Sequence, residues 1–455
     1  MYGVLLMLCL TAVAAVALAT SGGPMAIAAI AGVAVLVWAT RRPVYLAGLT
    51  IVSDHFSFRF ANIMGFIVTP VKIIYPIFAL VVILNAVRER KIQPVPKTLF
   101  IGFLLLATLR FMSELLSPYG ADLSWVQEFG STVLLMIALS QVIRSPEDLY
   151  RVFIVQAIAM VAISLYVVNE VPWSAMLIGR GDVRAYGPTG QPNELASVAA
   201  AYFPIALILF YYKGGELSIR VMAAIAAAGA LYCQFAAASR GGTVGLIVGL
   251  FVIVCIGTRS WSSRLAAVTA GSVALVMIIA VAPDSFERRV IAAVDPSASS
   301  EQRSDPLSGR PELIKFGLKL LPERPWLGHG SAGFKYRRSF HEPGMHISLH
   351  SAPLRVAVAS GIPAGLLYVA LGIGALLAAW KSRQLLRNDY LLPSALVGSI
   401  TASMIMSSAS TEVFAPSQWA QISLAYFIHK VASSRPASEP DSVPVRAEAE
   451  QTALS

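Results

Sequence analysis

One arginine, Arg240, lies between two long apolar stretches, immediately before Gly241 and Gly242. A cation at the edge of a membrane is costly unless it is paired or functional. Its guanidinium can hold an anionic substrate group through two parallel hydrogen bonds, as arginine does with phosphate. The alternative is an anchor whose side chain extends to the lipid headgroups. We favour the anion-binding interpretation.

The long polar segment Pro283–His350 contains two further candidates. Arg310 lies near the start of a predicted helix, which opens near Ser308 with Pro311 in its first turn and runs to Leu321. An arginine beside glycine in such a segment is usually solvated, so Arg310 is weak evidence alone. His350 stands where the polar segment meets the next apolar stretch. Its neutral imidazole can accept a proton from a hydroxyl group, or the residue can cap the following helix.

A third polar cluster runs from Arg180 through Arg184 to Asn193 and leads directly into an apolar stretch. Asn193 follows Pro192 and precedes the predicted helix, so its expected structural role is that of an N-cap.

Neither a metal site nor a disulfide framework is expected. The other histidines of the long segment are His329, His341 and His346. They show no ligand spacing of the usual kind, although a metal site built from them is an alternative. All three cysteines, Cys9, Cys233 and Cys255, lie in apolar stretches.

The elements that position these residues must be membrane helices. Hydrophobic residues make up 56% of the chain and charged residues only 13%, whereas a soluble domain has about 25% charged residues. Apolar stretches of roughly 17–25 residues recur along the chain, each long enough to cross a bilayer. A backbone in lipid must satisfy its own hydrogen bonds, which selects helices. The predicted fold is all-α, a polytopic transmembrane bundle.

We expect 12–14 spans. The fourteen candidates are Val4–Thr20, Pro24–Thr40, Val44–Asp54, Val71–Val87, Thr98–Leu116, Ser124–Gln141, Tyr150–Val168, Glu194–Tyr212, Ser218–Ala236, Gly241–Thr258, Arg264–Ala282, Ser351–Trp380, Tyr390–Ser408 and Glu412–His429. Val44–Asp54 is short enough to be re-entrant or half-spanning. The first stretch lacks a basic flank and is interpreted as a retained helix rather than a signal peptide.

Basic residues fall in alternate connections, which orients the bundle with both termini in the cytoplasm. The predicted domains are an N-terminal transmembrane bundle (1–282), a large periplasmic loop with short helices (283–350), C-terminal transmembrane helices (351–430) and a disordered cytoplasmic tail (431–455). Arg240, Arg310 and His350 then share the periplasmic side.

Three motifs in this order resemble those of the O-antigen ligase and Wzy-type polymerase superfamily. They are Gly187-Pro-Thr-Gly-Gln-Pro-Asn193-Glu-Leu-Ala, Ser239-Arg240-Gly241, and the loop sequence GRPELIKFGLKLLPERPWLGHGSAGF followed by LHSAPLRVAVASGIPAGLLYV. The resemblance covers roughly Arg180–Trp380. Phe316 or a neighbour replaces the usual Trp, and Ser351 stands where Asn commonly follows the His.

This resemblance implies a metal-independent, GT-C-like glycosyltransferase without a cofactor. Its donor would be a glycan on undecaprenyl diphosphate within the membrane lipids, and its acceptor another glycan or the lipid A core. Arg240 and Arg310 would hold the diphosphate, and His350 would accept the proton of the acceptor hydroxyl. The substrate-binding candidates are Arg180, Arg184, Asn193 and His346. We expect this activity at the bacterial inner membrane, with no nucleic-acid partner.

Several functions share these features. A polymerase, a ligase and a protein O-oligosaccharyltransferase differ in acceptor recognition, which the motifs do not separate. A transporter or flippase of a lipid-linked or anionic substrate is the alternative from another class. Transporters tend to show inverted repeats and broken helices at the bilayer midplane, whereas the polar residues here gather at one predicted face.

Overall fold

The computed structural model describes residues 38, 40–56, 61–63, 66–68, 70–90, 92–121, 125–177, 184–212, 216–257, 262, 265, 269, 286, 310–334, 349–407 and 415–434. Its helices are α1 (Pro43–Ser53), α2 (Pro70–Glu89), α3 (Lys97–Leu115), α4 (Trp125–Val142), α5 (Pro146–Glu170), α6 (Trp173–Leu177), α7 (Pro192–Tyr211), α8 (Leu217–Ala237), α9 (Arg240–Gly257), α10 (Arg310–Leu320), α11 (Ala352–Ser360), α12 (Ile362–Leu385), α13 (Leu391–Ser407) and α14 (Pro416–Ser434). A short antiparallel hairpin pairs β1 (Ala61–Ile63) with β2 (Phe66–Val68).

The all-α membrane fold is confirmed. Within the described residues, α3, α5, α7, α8, α9 and α12 are each long and apolar enough to cross a membrane. The longest apolar helix in this set, α5, has 25 residues, or about 37 Å at 1.5 Å per residue. The predicted span Val4–Thr20 lies outside the described residues, as does nearly all of Pro24–Thr40 and of Arg264–Ala282. The total of 12–14 spans therefore stays a prediction.

Close helix packing depends on small residues. A Cβ at Gly245 would lie 3.1 Å from the carbonyl oxygen of Ala402, and one at Gly249 would lie 3.0 Å from that of Gly398. In lipid, helices associate largely through such close backbone approach, because the surrounding tails are as apolar as the side chains. Later positions in α9 thus meet earlier positions in α13, so the two helices pack antiparallel, and the start of α9 lies toward the end of α13.

The same contacts show which helix ends lie together. A Cβ at Gly372, in the first half of α12, would lie 2.8 Å from Met404 near the end of α13. The hydroxyl of Ser113, near the end of α3, donates to the carbonyl of Ala359, just before α12 begins. We call this end of the bundle the site end. It comprises the N-terminal ends of α7, α9 and α12 and the C-terminal ends of α3, α8 and α13.

Two predicted boundaries differ from the structure. The stretch Ser351–Trp380, predicted as one span, is two helices, α11 and α12, separated at Gly361 with φ of 93°. A Cβ there would lie 2.1 Å from the carbonyl oxygen of Trp326, so the approach of the polar segment also requires glycine. The C-terminal helices, predicted to end at residue 430, extend further, since α14 ends at Ser434; residues 435–455 lie outside the described part.

Candidate functional site

Three of the predicted polar residues meet at the site end. The amide oxygen of Asn193 accepts hydrogen bonds from the hydroxyl of Ser239 at 3.1 Å and from Nη2 of Arg184 at 3.4 Å. Nε of Arg184 donates to the carbonyl of Ala237 at 2.9 Å. Arg184 therefore joins the segment before α7 to the last residue of α8, and Asn193 joins the start of α7 to the start of α9.

The α8–α9 turn is built to present Arg240. Ala238 adopts the left-handed conformation (φ 45°) and ends α8. Ser239 then caps α9: its hydroxyl accepts from the backbone N–H of Gly242 at 3.4 Å, and its carbonyl accepts from that of Thr243 at 3.0 Å. Arg240 is the first residue of α9 and is partly exposed. Its backbone thus starts the helix while its side chain belongs to the surface of the site end.

The electrostatics at this point favour an anion. Helix N-termini carry partial positive charge, and those of α7 and α9 are joined through the Asn193–Ser239 hydrogen bond. Arg184 and Arg240 add two full positive charges. Two negative charges also lie nearby: Glu194 in the first turn of α7, and Glu170, whose carboxylate accepts from the backbone N–H groups of Tyr186 and Gly187. Two helix N-termini beside two guanidinium groups are a setting suited to phosphate oxygens.

The expected N-cap role of Asn193 is wrong. Gln191 occupies the N-cap position, and α7 begins at Pro192. Proline fits the first helical position because its missing N–H would have no helical partner there. Asn193 is consequently inside the first turn, where its amide is free to contact Arg184 and Ser239.

A small hydrophobic cluster packs α10 against α11. Its buried members are Leu313, Phe316, Leu320, Phe334, Leu349 and Val358. The rings of Phe316 and Phe334 meet edge to face with centroids 5.6 Å apart. A Cβ at Gly317 would lie 3.3 Å from Leu349 and Leu354. The helix that begins with Arg310 is thereby fixed against the turn that contains His350.

His350 precedes the capping position of α11. Ser351 is the N-cap, and the helix begins at Ala352. His350 therefore does not occupy the N-cap position, and Ser351, which does, makes no capping hydrogen bond through its side chain. His350 itself is partly exposed at the junction of the polar segment and α11.

The remaining candidates are only partly described. The backbone of Arg310 begins α10 as predicted, within two residues of the expected start, but its side chain lies outside the described part. Arg180 and His346 lie outside the described residues. The contacts therefore assemble two groups, one around Arg184, Asn193 and Ser239, at the residue before Arg240, and one around α10 and His350.

Sequence reasoning missed a buried ion pair on α3. Nη2 of Arg110 lies 3.3 Å from Oε1 of Glu114, and their side chains are 10% and 0% exposed. The available signal was two ionisable residues, four positions apart, inside an otherwise apolar span.

Comparison with known families identifies the part of the chain that contains Arg240, Arg310 and His350. Residues 222–369 match the Wzy_C family model, described as O-antigen ligase. This segment carries an O-antigen ligase domain. The family resemblance is thus confirmed over about a third of the chain, from α8 into α12, a range that includes Arg240, Arg310 and His350. No curated protein matches the chain.

The O-antigen ligase domain and the apolar helices establish the general class. The chain is a multi-pass membrane enzyme of surface polysaccharide biosynthesis. Arg184 and Asn193 lie outside residues 222–369, yet their hydrogen bonds connect them directly to Ala237 and Ser239 inside that range. The O-antigen ligase domain and the preceding helices therefore build the candidate site together.

Proposed function

We propose that this protein transfers or polymerises a glycan carried on undecaprenyl diphosphate, with its site end facing the periplasm. The observation that carries the proposal is the Asn193–Ser239 joint, which brings two helix N-termini and two arginines together at one end of a membrane bundle. Positive charge at one end of a membrane bundle suits a lipid-linked diphosphate, because its anion must be held at the interface while its tail remains in lipid.

The reaction is a displacement at the anomeric carbon. The acceptor hydroxyl oxygen attacks that carbon, its proton passes to a neutral nitrogen of His350, and the bond from the anomeric carbon to the diphosphate oxygen breaks. Undecaprenyl diphosphate leaves with the electron pair of that bond. Arg240 and Arg310 stabilise the negative charge that develops on the leaving group.

The remaining candidates bind rather than react. Arg184 already donates one hydrogen bond to Asn193 and one to the carbonyl of Ala237, which hold its guanidinium between the start of α7 and the end of α8. Arg180 and His346 are proposed to contact the glycan.

An apolar cavity supports the lipid part of the proposal. It measures about 240 Å³ and is lined by residues of α11–α14, among them Pro353, Val369, Gly372, Met404 and Ile405. Pro353 follows His350 by three residues, so one wall of the cavity is close in the chain to the proposed base. Ligand pockets usually have volumes of about 300–1,000 Å³, so this one would hold a part of the polyprenyl tail next to the diphosphate.

Purified protein supplied with an undecaprenyl-diphosphate-linked glycan tests the reaction. We expect release of undecaprenyl diphosphate and a glycan joined to an acceptor hydroxyl, undiminished by a metal chelator. Comparing lipid A core with a second lipid-linked glycan as acceptor separates ligase from polymerase. Movement of the intact donor across a vesicle membrane without cleavage of its glycosidic bond would replace this proposal with a flippase.

The orientation has its own test. Single cysteines at Ser308 and Ser438, in a background lacking the native cysteines, should react oppositely with an impermeant maleimide applied to whole cells whose outer membrane is permeabilised. We expect labelling at position 308 and protection at position 438. The reverse pattern would contradict a periplasmic site.

A further inference from the structure

We propose that Arg110 and Glu114 on α3 are positioning residues, which dock the polar segment Arg324–Phe334 so that α10 and α11 present Arg310 and His350 to the substrate. This inference rests on the proposed function for its catalytic consequence. Both residues lie outside residues 222–369, the part matched by the O-antigen ligase family.

The docking contact is centred on Ser331. Its backbone N–H donates to Oε1 of Glu114 at 2.8 Å, and its hydroxyl donates to the same carboxylate while accepting from Arg110. Nη1 of Arg110 also donates to the hydroxyl of Ser360 at 3.2 Å, the last residue of α11. One buried ion pair therefore contacts both the polar segment and the end of the helix that follows His350.

The polar segment also completes the backbone hydrogen bonds at the helix break. A helix end leaves carbonyls without helical partners. Here the carbonyls of Val358 and Ala359 accept from the N–H groups of His329 and Gly330 at 2.8 and 2.9 Å. Across the break, the N–H of Ile362 donates to the carbonyl of Pro325 at 2.7 Å. The docked segment consequently satisfies the backbone groups that the break at Gly361 exposes, and the break in turn supplies the hydrogen-bond partners of the segment.

The docked segment is tied to α10 as well. His329 is buried, and its Nε2 donates to the carbonyl of Leu320, the last residue of α10, at 3.0 Å. On the other side, the carbonyl of His329 accepts from the hydroxyl of Ser117, just after α3, at 2.9 Å. A path of direct contacts therefore runs from α3 through this segment to α10, which begins with Arg310, and to α11, which follows His350.

Such a buried pair is unlike a surface ion pair. Two charges removed from water are retained only with good geometry and further hydrogen bonds, and removal of one partner is strongly destabilising. Here hydrogen bonds from the pair reach the polar segment and α11, and the guanidinium of Arg110 also lies 5.8 Å from the ring centre of Trp125 on α4. Loss of either charge should therefore release the segment before it unfolds α3, because α3 keeps its own backbone hydrogen bonds.

A buried reporter measures docking directly. Val358 is 1% exposed and lies under the docked segment. We would introduce Val358→Cys in the background without native cysteines and follow its rate of maleimide labelling in purified protein. Glu114→Gln, and the milder Ser331→Ala, should accelerate labelling, the former by at least about tenfold. A cysteine at Trp326, which is 74% exposed, should react rapidly in every background.

Kinetics then test the positioning role, without the reporter cysteine. Glu114→Gln should lower kcat per folded molecule by at least about tenfold, with a much smaller change in KM for the lipid-linked donor. The matched control is Glu89→Gln, which removes a carboxylate from the exposed pair Arg144–Glu89 (2.8 Å). That change should alter neither labelling nor kcat.

The outcomes separate this inference from the proposed function. Faster labelling of a variant together with a lower kcat supports the positioning role. If the variants label faster but the parent itself transfers no glycan, the docking is supported and the proposed function is refuted. Unchanged labelling in Glu114→Gln and Ser331→Ala overturns the docking. Faster labelling with kcat equal to that of an active parent overturns the positioning role. If Glu114→Gln does not accumulate, the labelling rate and kcat of Ser331→Ala distinguish the same outcomes.

Discussion

The hydroxyl of Ser239 donates to the amide oxygen of Asn193 across 3.1 Å, and this single contact joins the N-termini of α7 and α9. The two residues are 46 positions apart in the chain. The same amide oxygen accepts from Arg184, so the partial positive charges of two helices and a guanidinium group converge at one point. Whatever anion binds at the site end must be attracted by this group of charges.

The first prediction concerns the charge at Asn193. Asn193→Asp keeps an oxygen that accepts from Ser239 and Arg184, so the fold should persist, but it adds a negative charge beside the proposed diphosphate. We expect KM for the lipid-linked donor to rise about tenfold, since two charges about 4 Å apart near a protein surface interact by up to about 4 kcal/mol. Asn388→Asp, at an exposed position, is the control. An unchanged KM would place the diphosphate away from this joint.

Arg240 and Arg310 should not tolerate lysine. A lysine supplies a point charge but not the planar fork that binds two phosphate oxygens together. We expect Arg→Lys at either position to reduce glycan transfer nearly as much as Arg→Ala, measured at equal protein level. Transfer close to that of the parent in Arg240→Lys would instead indicate an interfacial anchor.

His350 should be required for the chemical step. A general base contributes about 100- to 10,000-fold to rate, so His350→Ala should abolish detectable transfer while donor binding persists. Since Ser351 occupies the N-cap position, neither His350→Ala nor His350→Asn should reduce the protein level through loss of a cap. His350→Asn should be as inactive as the alanine variant, because an amide does not accept a proton at neutral pH. Transfer by His350→Asn at the parental rate would move the base elsewhere in the polar segment.

The cavity beside Pro353 predicts a dependence on lipid length. Val369→Trp would fill part of its volume, and we expect it to raise KM for an undecaprenyl donor. A donor with a tail of only two or three isoprene units should be affected less, because little of it would enter the cavity. Gly130→Trp is a suitable control, since a Cβ at Gly130 meets no atom within 4 Å. Equal effects on both donors would show that the tail lies elsewhere.

Much of the secondary structure could be predicted from local composition. Thr98–Leu116 was predicted as a span and Lys97–Leu115 is observed, and the helix expected from near Ser308 to Leu321 is observed as Arg310–Leu320. Such agreement is expected where long apolar stretches end at polar or proline residues, because lipid leaves the backbone few alternatives to a helix. The family that residues 222–369 match was also recognisable from short motifs.

The tertiary structure decided how the polar groups pair. Glycine at position 361 is compatible with a continuous helix, and the break there depends on hydrogen bonds from residues 325–330, which are distant in sequence. The sequence predicts Asn193 as an N-cap, but in the structure Gln191 is the N-cap and α7 begins at Pro192. Arg110 and Glu114 are two charges in an apolar span, and their partner Ser331 is more than 200 positions away in the chain. Local sequence determines the backbone conformation that lipid enforces, whereas the partner of a buried polar group depends on which helices pack together.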